Sequence, residues 1–299
     1  MSKSFKIELN PEANTFTELK NKKYPWWDNL KKNKDISIQI RKDNTIDVYY
    51  NGGAILRGLK YDEQKKVFKA EIHPKYIPLK DENNYKSLTL SSNGVEFTGE
   101  IAKLDHLEDA ILKAITERIK KYFDSESEKA IQYEFAKNDS YIIDTEFQHN
   151  ESRIDLIRLD DTVKKIVLIE VKTMGDPRLY IESKKNKDDK ENIYDQLKKY
   201  KEFAENYSES IHEYYKKVLK IKNDLGITKG GVSKLSINEW EVERKPLLIF
   251  GDCKQKWISN NKDDINNKIK DVAYGVYYYG STKSSLALKQ KKHDNRCIY

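Results

Sequence analysis

Short runs in the first hundred residues alternate apolar and polar positions with period two. Ile36-Ser37-Ile38-Gln39-Ile40 is one such run, and Ile46-Asp47-Val48-Tyr49-Tyr50 follows it across an Asp43-Asn44 turn signal. Asn51-Gly52-Gly53 is a strong hairpin signal. Residues 54–59 and 67–72 continue a meander, and Leu88-Thr89-Leu90 and Val95-Glu96-Phe97 flank a second hairpin signal at Asn93-Gly94. The region reads as β-rich.

Near residue 104 the period becomes helical. Leu107, Ile111, Ala114, Ile115, Arg118 and Tyr122 share one helical face, with Asp105 placed to cap it. A short helix is predicted to start at Ser125, carrying Glu128 and then Ile131 and Phe135. Strands over 141–146, 153–159 and 165–171 follow. Helices over 191–207 and 209–225 come next, then strands over 246–251 and 274–279. This order predicts an α/β (α+β) domain, a mixed sheet flanked by helices, over 105–299, after a β-rich recognition or regulatory domain over 1–104.

Composition removes several classes. With 12 Gly and 6 Pro the chain is neither collagen-like nor Pro/Gly-rich disorder, and 11% aromatic residues can build a core. No apolar run approaches the roughly 18–20 residues of a membrane helix. Met1-Ser2-Lys3-Ser4-Phe5-Lys6 leads into polar sequence rather than a secretory h-region. Cys253 and Cys297 are too few for a disulfide framework or a four-Cys zinc site, so a reduced cytoplasmic protein is expected. The net charge of +7 is mild and permits a polyanionic partner without demanding one. His73, His106, His149, His212 and His293 show no zinc spacing, and neither a Walker-type loop nor a Gly-x-Ser-x-Gly elbow is present. Tyr24, Trp26, Trp27, Tyr49 and Tyr50, with Arg41, Lys42 and Arg57, could stack bases and hold phosphates, or form the core of the meander.

The chemistry lies in Arg153-Ile154-Asp155-Leu156-Ile157 and Ile166-Val167-Leu168-Ile169-Glu170-Val171-Lys172. Acidic-x-basic triplets are common, and chance gives about nine in such a chain. Glu170 stands apart because it ends a run of four aliphatic residues, where a carboxylate is costly unless paired or bound to a cation. Asp160-Asp161-Thr162 predicts a turn. Pairing Leu159 with Lys164 then puts Asp155 opposite Leu168, with Glu170 as its diagonal neighbour and Lys172 on the same face. Two converging carboxylates favour Mg²⁺, which activates water and neutralises charge on a phosphate oxygen, and Lys172 can orient that water. Leu247–Gly251 also leads into an acidic-x-Lys triplet, Asp252 to Lys254, but Gly251 ends that strand first.

Asp155 followed by Glu170-Val171-Lys172 resembles the core of the PD-(D/E)XK nuclease superfamily. Gln196 and Tyr200, four apart on the following helix, resemble the Gln-x-x-x-Tyr motif of its RecB-like members. The resemblance spans about residues 105–280. It implies a restriction-endonuclease-like fold and metal-dependent cleavage of DNA, or of RNA. It implies Mg²⁺, with Mn²⁺ as a substitute, on Asp155 and Glu170 with the Val171 carbonyl assisting. Lys172, Gln196 and Tyr200 would complete the catalytic set. A Glu on the preceding helix is frequent in the superfamily, and Glu128 matches by position, although Ser125-x-x-Glu128 is also a capping-box pattern. Glu146 is a further nearby carboxylate, and Ile154 stands where a Pro is common. The implied setting is restriction, antiviral defence or repair, with a homodimer or larger defence complex open. The alternative is a non-catalytic nucleic-acid-binding or interaction module on the same fold.

Overall fold

The computed structural model describes residues 8–77, 86–91, 94–97, 100–104, 110–123, 127–149, 152–179, 192–251, 253–279 and 296–298. The chain packs as two units. One takes in Ile7–Ser125 and Tyr214–Leu235, the other Glu126–Glu213 and Ser236–Tyr299. Together they form a mixed α/β protein with two sheets and, among the described residues, six α-helices. No helix among the described residues is long and apolar enough to cross a membrane.

The first unit opens with two helices that the β-rich reading of this region does not anticipate, α1 (Asn14–Asn21) and α2 (Pro25–Lys32). Pro25 occupies the first turn of α2, where its missing N–H costs nothing. The strands follow as β1 (Ser37–Ile40), β2 (Ile46–Tyr50), β3 (Gly53–Asp62), β4 (Val67–Ile72), β5 (Lys86–Ser91), β6 (Gly94–Phe97) and β7 (Glu100–Leu104). They pair antiparallel in chain order, as a meander. Asn51 and Gly52 both take positive φ between β2 and β3, the geometry of a two-residue hairpin.

Helix α3 (Ala110–Tyr122) buries Ile115 and Ile119. The expected stripe is therefore rotated by one residue, because Arg118 gives way to Ile119 and Tyr122 is 54% exposed. The expected cap, Asp105, lies outside the described residues. Trp26 and Trp27 are interior. The Trp26 ring packs against Tyr24, Trp27 and Phe68, and its Nε1 donates to the Ser91 carbonyl at 3.0 Å. These aromatics build the unit's own core rather than a base-stacking surface. Arg41 is held by Asp47 at 2.7 Å and by the Tyr49 hydroxyl at 3.0 Å.

The second unit begins with α4 (Glu128–Asn138), then β8 (Ile142–His149), β9 (Ser152–Asp160) and β10 (Lys165–Thr173). Helix α5 (Ile193–Asp224) follows, with non-helical backbone at Tyr207, and contributes residues to both units. The break falls between the two helices expected there, over 191–207 and 209–225. Short β11 (Glu241–Val242), β12 (Leu247–Gly251), α6 (Gln255–Ile269), β13 (Gly275–Tyr278) and β14 (Arg296–Ile298) complete the chain. The strand order is β14-β13-β12-β10-β9-β8, with β11 beside β10. Strands β8, β9 and β10 are antiparallel, whereas β10, β12 and β13 run parallel.

Alternation along β10 and β12 sends side chains to two cores. Val167, Ile169, Val171, Leu247 and Ile249 meet Ile131, Phe135 and Ala136 of α4. Leu248 and Phe250 meet Ile193 and Leu197 of α5 and Ile258, Ile265 and Ile269 of α6. Each fully buried aliphatic side chain contributes about 1.5–3 kcal/mol of transfer free energy. Strand β12 stops at Gly251, and Asp252 lies outside the described residues.

Candidate active site

The β9–β10 hairpin carries both motif carboxylates. Leu159 pairs with Ile166 and Leu156 with Ile169. That register is shifted by two residues from the expected Leu159–Lys164 pairing. The connection runs over 161–164, one residue further along than that pairing implies, with Lys164 in the left-handed region (φ 56°) and its side chain paired to Asp161. A two-residue shift preserves which face each side chain takes. The pairing ends at Leu156–Ile169, and its parity puts Asp155 and Glu170 on one face, as expected. Glu170 and Lys172 alternate with the α4-facing Val171, so both point to the α5 side.

All three charged groups are interior. Asp155 is 3% exposed, Glu170 1% and Lys172 1%. Lys172 Nζ pairs with Glu170 Oε1 and donates to the Val171 carbonyl at 3.2 Å. Asp155 Oδ2 accepts the Val171 backbone N–H at 2.9 Å. Burial and the nearby Glu170 charge push the Asp155 carboxyl well above the ordinary carboxylate range. Burial pulls the Lys172 ammonium down, but the charges of Glu170, Asp155 and Glu128 outweigh it, and the net shift is upward. The lysine therefore stays protonated at neutral pH.

Gln196 and Tyr200 lie on one face of α5, as their spacing predicts. The Tyr200 hydroxyl sits between two acceptors, Glu170 Oε2 at 2.8 Å and the Arg153 carbonyl. Gln196 lies one turn before Tyr200, and its Oε1 stands 3.5 Å from Arg178 Nη1. Burial and the Glu170 charge raise the Tyr200 phenol well above its usual value, so it remains a donor.

Glu128 opens α4. The helix is capped by Ser127, whose hydroxyl accepts the Ala130 N–H at 3.2 Å. Ser125 lies outside the described residues, and Glu128 sits at the first helical position, not at the third as in a capping box. Its Oε2 stands 3.7 Å from both Lys172 Nζ and Arg178 Nη2. Burial, acting with Glu170 and against Lys172, raises its pKa. Glu146, with positive φ on the edge strand, is engaged by Lys129 and by Arg153 at 3.1 Å. Its charge is spoken for by these two cations.

Sequence reasoning missed Asp176 and Arg178. No spacing rule links them to the motif. Asp176 sits three residues after β10 and pairs with Arg178, which reaches Gln196 and Glu128.

Among the described residues no group of three or more His, Cys, Asp or Glu side chains is arranged to hold an ion. Mg²⁺ requires fewer protein ligands, since it keeps several waters and takes one or two carboxylates. Two buried carboxylates on adjacent paired strands, with Asp155 accepting from one donor among the described residues, suit such an ion. Comparison with known proteins finds no matching family model, no matching curated protein and no matching solved structure.

Proposed function

We propose that this chain is a divalent-metal-dependent nuclease of the PD-(D/E)XK type, hydrolysing phosphodiester bonds of DNA, with RNA as the second candidate. The observation that carries the reading is the burial of Asp155 and Glu170 on adjacent paired strands, on one face and beside a protonated Lys172. Two such carboxylates resist burial unless a cation compensates them. The mixed sheet, antiparallel on the β8 side and parallel on the β13 side with helices on both faces, supports a restriction-endonuclease-like fold.

Asp155, Glu170 and the Val171 carbonyl would hold Mg²⁺, or Mn²⁺. The ion supplies charge neutralisation at a phosphate oxygen and a more acidic water. Lys172 acts as a donor, orienting the attacking water or bearing on developing negative charge, because an ammonium with a raised pKa cannot serve as a base. Tyr200 fixes the Glu170 carboxylate, and Glu128 adds negative charge at the rim. Restriction, antiviral defence or repair is the setting the family resemblance favours.

The test is cleavage of plasmid, single-stranded DNA and RNA with and without Mg²⁺ by the wild type, Asp155→Ala and Lys172→Ala. Metal-dependent cleavage lost in both folded variants supports the enzyme. Equal cleavage in all three sinks it. Salt-dependent binding without cleavage favours the non-catalytic alternative, a module whose Lys172–Glu170 pair is structural.

A further inference from the structure

Pro177–Leu179 forms one 3-10 turn after β10, and Asp176 closes it by accepting the Arg178 backbone N–H at 2.9 Å. Asp176 also grips the guanidinium, taking Nε at 2.9 Å and Nη2 at 2.5 Å. Asp176 is buried, whereas the Arg178 side chain is one-third exposed. The Nε–Nη2 edge is thus occupied. The opposite edge, Nη1 and Nη2, meets Gln196 Oε1 only at 3.5 Å and lies 3.7 Å from Glu128 Oε2, beyond ordinary hydrogen-bond range. Glu128 is equally far from Lys172 Nζ, so this spare edge opens on the carboxylate cluster.

A planar fork fixed along one edge and open along the other matches the paired oxygens of a phosphate. Lys172 spends two of its three N–H donors on Glu170 and the Val171 carbonyl, so it offers no paired edge to a phosphate. We propose that Arg178 is the anion-binding residue of the site, taking the non-bridging oxygens of a nucleic-acid phosphodiester, with Asp176 and Gln196 as positioning residues. The inference rests on the nuclease reading and names how this chain holds the substrate's phosphate. It also accounts for Gln196. Gln196 reaches Arg178 Nη1 at 3.5 Å, and Tyr200, one turn on, donates to Glu170, so one helix face sets both the phosphate-binding cation and Glu170.

The test is anisotropy of a fluorescein-labelled oligonucleotide in EDTA, across a salt series, for the wild type, Arg178→Ala and Arg178→Lys. Mg²⁺-dependent cleavage kinetics are measured alongside. Arg178→Ala is expected to weaken binding about tenfold and to lower the salt slope by about one. It should raise KM more than it lowers kcat. Arg178→Lys keeps the charge without the fork and should recover part of the binding. Unchanged binding and KM in Arg178→Ala overturn the proposal. If that variant does not fold, a folded Arg178→Lys with wild-type binding and KM overturns it equally. A wild type that binds but never cleaves defeats the nuclease reading, while the Arg178 result is still read from binding. A wild type that does not bind defeats both.

Discussion

Tyr200 donates to Glu170 Oε2 at 2.8 Å, and the same hydroxyl stands against the Arg153 carbonyl two residues from Asp155. One phenol therefore ties α5 to both strands that carry the motif carboxylates. Tyr200→Phe keeps the ring but leaves Glu170 Oε2 without this donor. Metal affinity or cleavage should fall about 10–100-fold, as for other groups that orient ligands, while stability should fall by only about 1 kcal/mol. Titration calorimetry with Mn²⁺, together with thermal unfolding, checks both. An unchanged affinity would show that the tie has no functional role.

Asp155 makes the metal-free protein sensitive to pH. Its folded pKa lies well above the ordinary 3.8, so the folded chain holds this proton to higher pH than the unfolded chain does. The resulting stability is full below about pH 4 and is lost as pH rises through the folded pKa. Asp155→Asn removes the charge and keeps an oxygen for the Val171 N–H. In EDTA at neutral pH it should melt above the wild type, with the gap closing toward acid. A gap that widens toward acid contradicts the argument. Added Mg²⁺ should stabilise the wild type and leave the variant little changed.

Gln132 is a second stored cost. It is buried on α4, and its Nε2 has no hydrogen-bond partner. An unsatisfied buried amide costs about 1–3 kcal/mol. Gln132→Leu should raise the urea midpoint without changing the slope of the transition, and a lower midpoint would refute this.

Gly251 lies where α4 packs tightly on β12. A Cβ built there would stand 2.5 Å from Ile131 Cγ2. Gly251→Ala should destabilise the protein by about 1–3 kcal/mol, because a packed core does not yield freely. It should also lower cleavage by moving the helix that carries Glu128. Unaltered melting and activity would mean the contact is soft.

The β9–β10 hairpin was legible because aliphatic alternation and a carboxylate closing an apolar run are strong local signals. Its face assignment survived a register error of two residues, since parity alone decides the face. Tyr24-Pro25-Trp26-Trp27 concealed α2, because aromatic residues favour strands and only packing against Phe68 decides otherwise. Helix α6 escaped because its buried stripe is sparse, Ile258, Ile265 and Ile269 among polar residues. Arg178 was illegible for a different reason. Its neighbours Gln196 and Glu128 are brought to it by the fold and not by sequence spacing.

The interleaving of the two units has a consequence during synthesis. Residues 214–235 complete the unit that begins at Ile7, yet about ninety residues of the other unit are translated first. At roughly 5–20 residues per second this is a wait on the order of 5–20 s. Throughout it the Ile40 carbonyl lacks the Tyr214 hydroxyl, and Gln39 lacks Lys222. The meander emerges from the ribosome before the helix that finishes it. The second unit's mixed sheet is likewise split, its last strands following that helix. No single cut in the gene separates the two units whole.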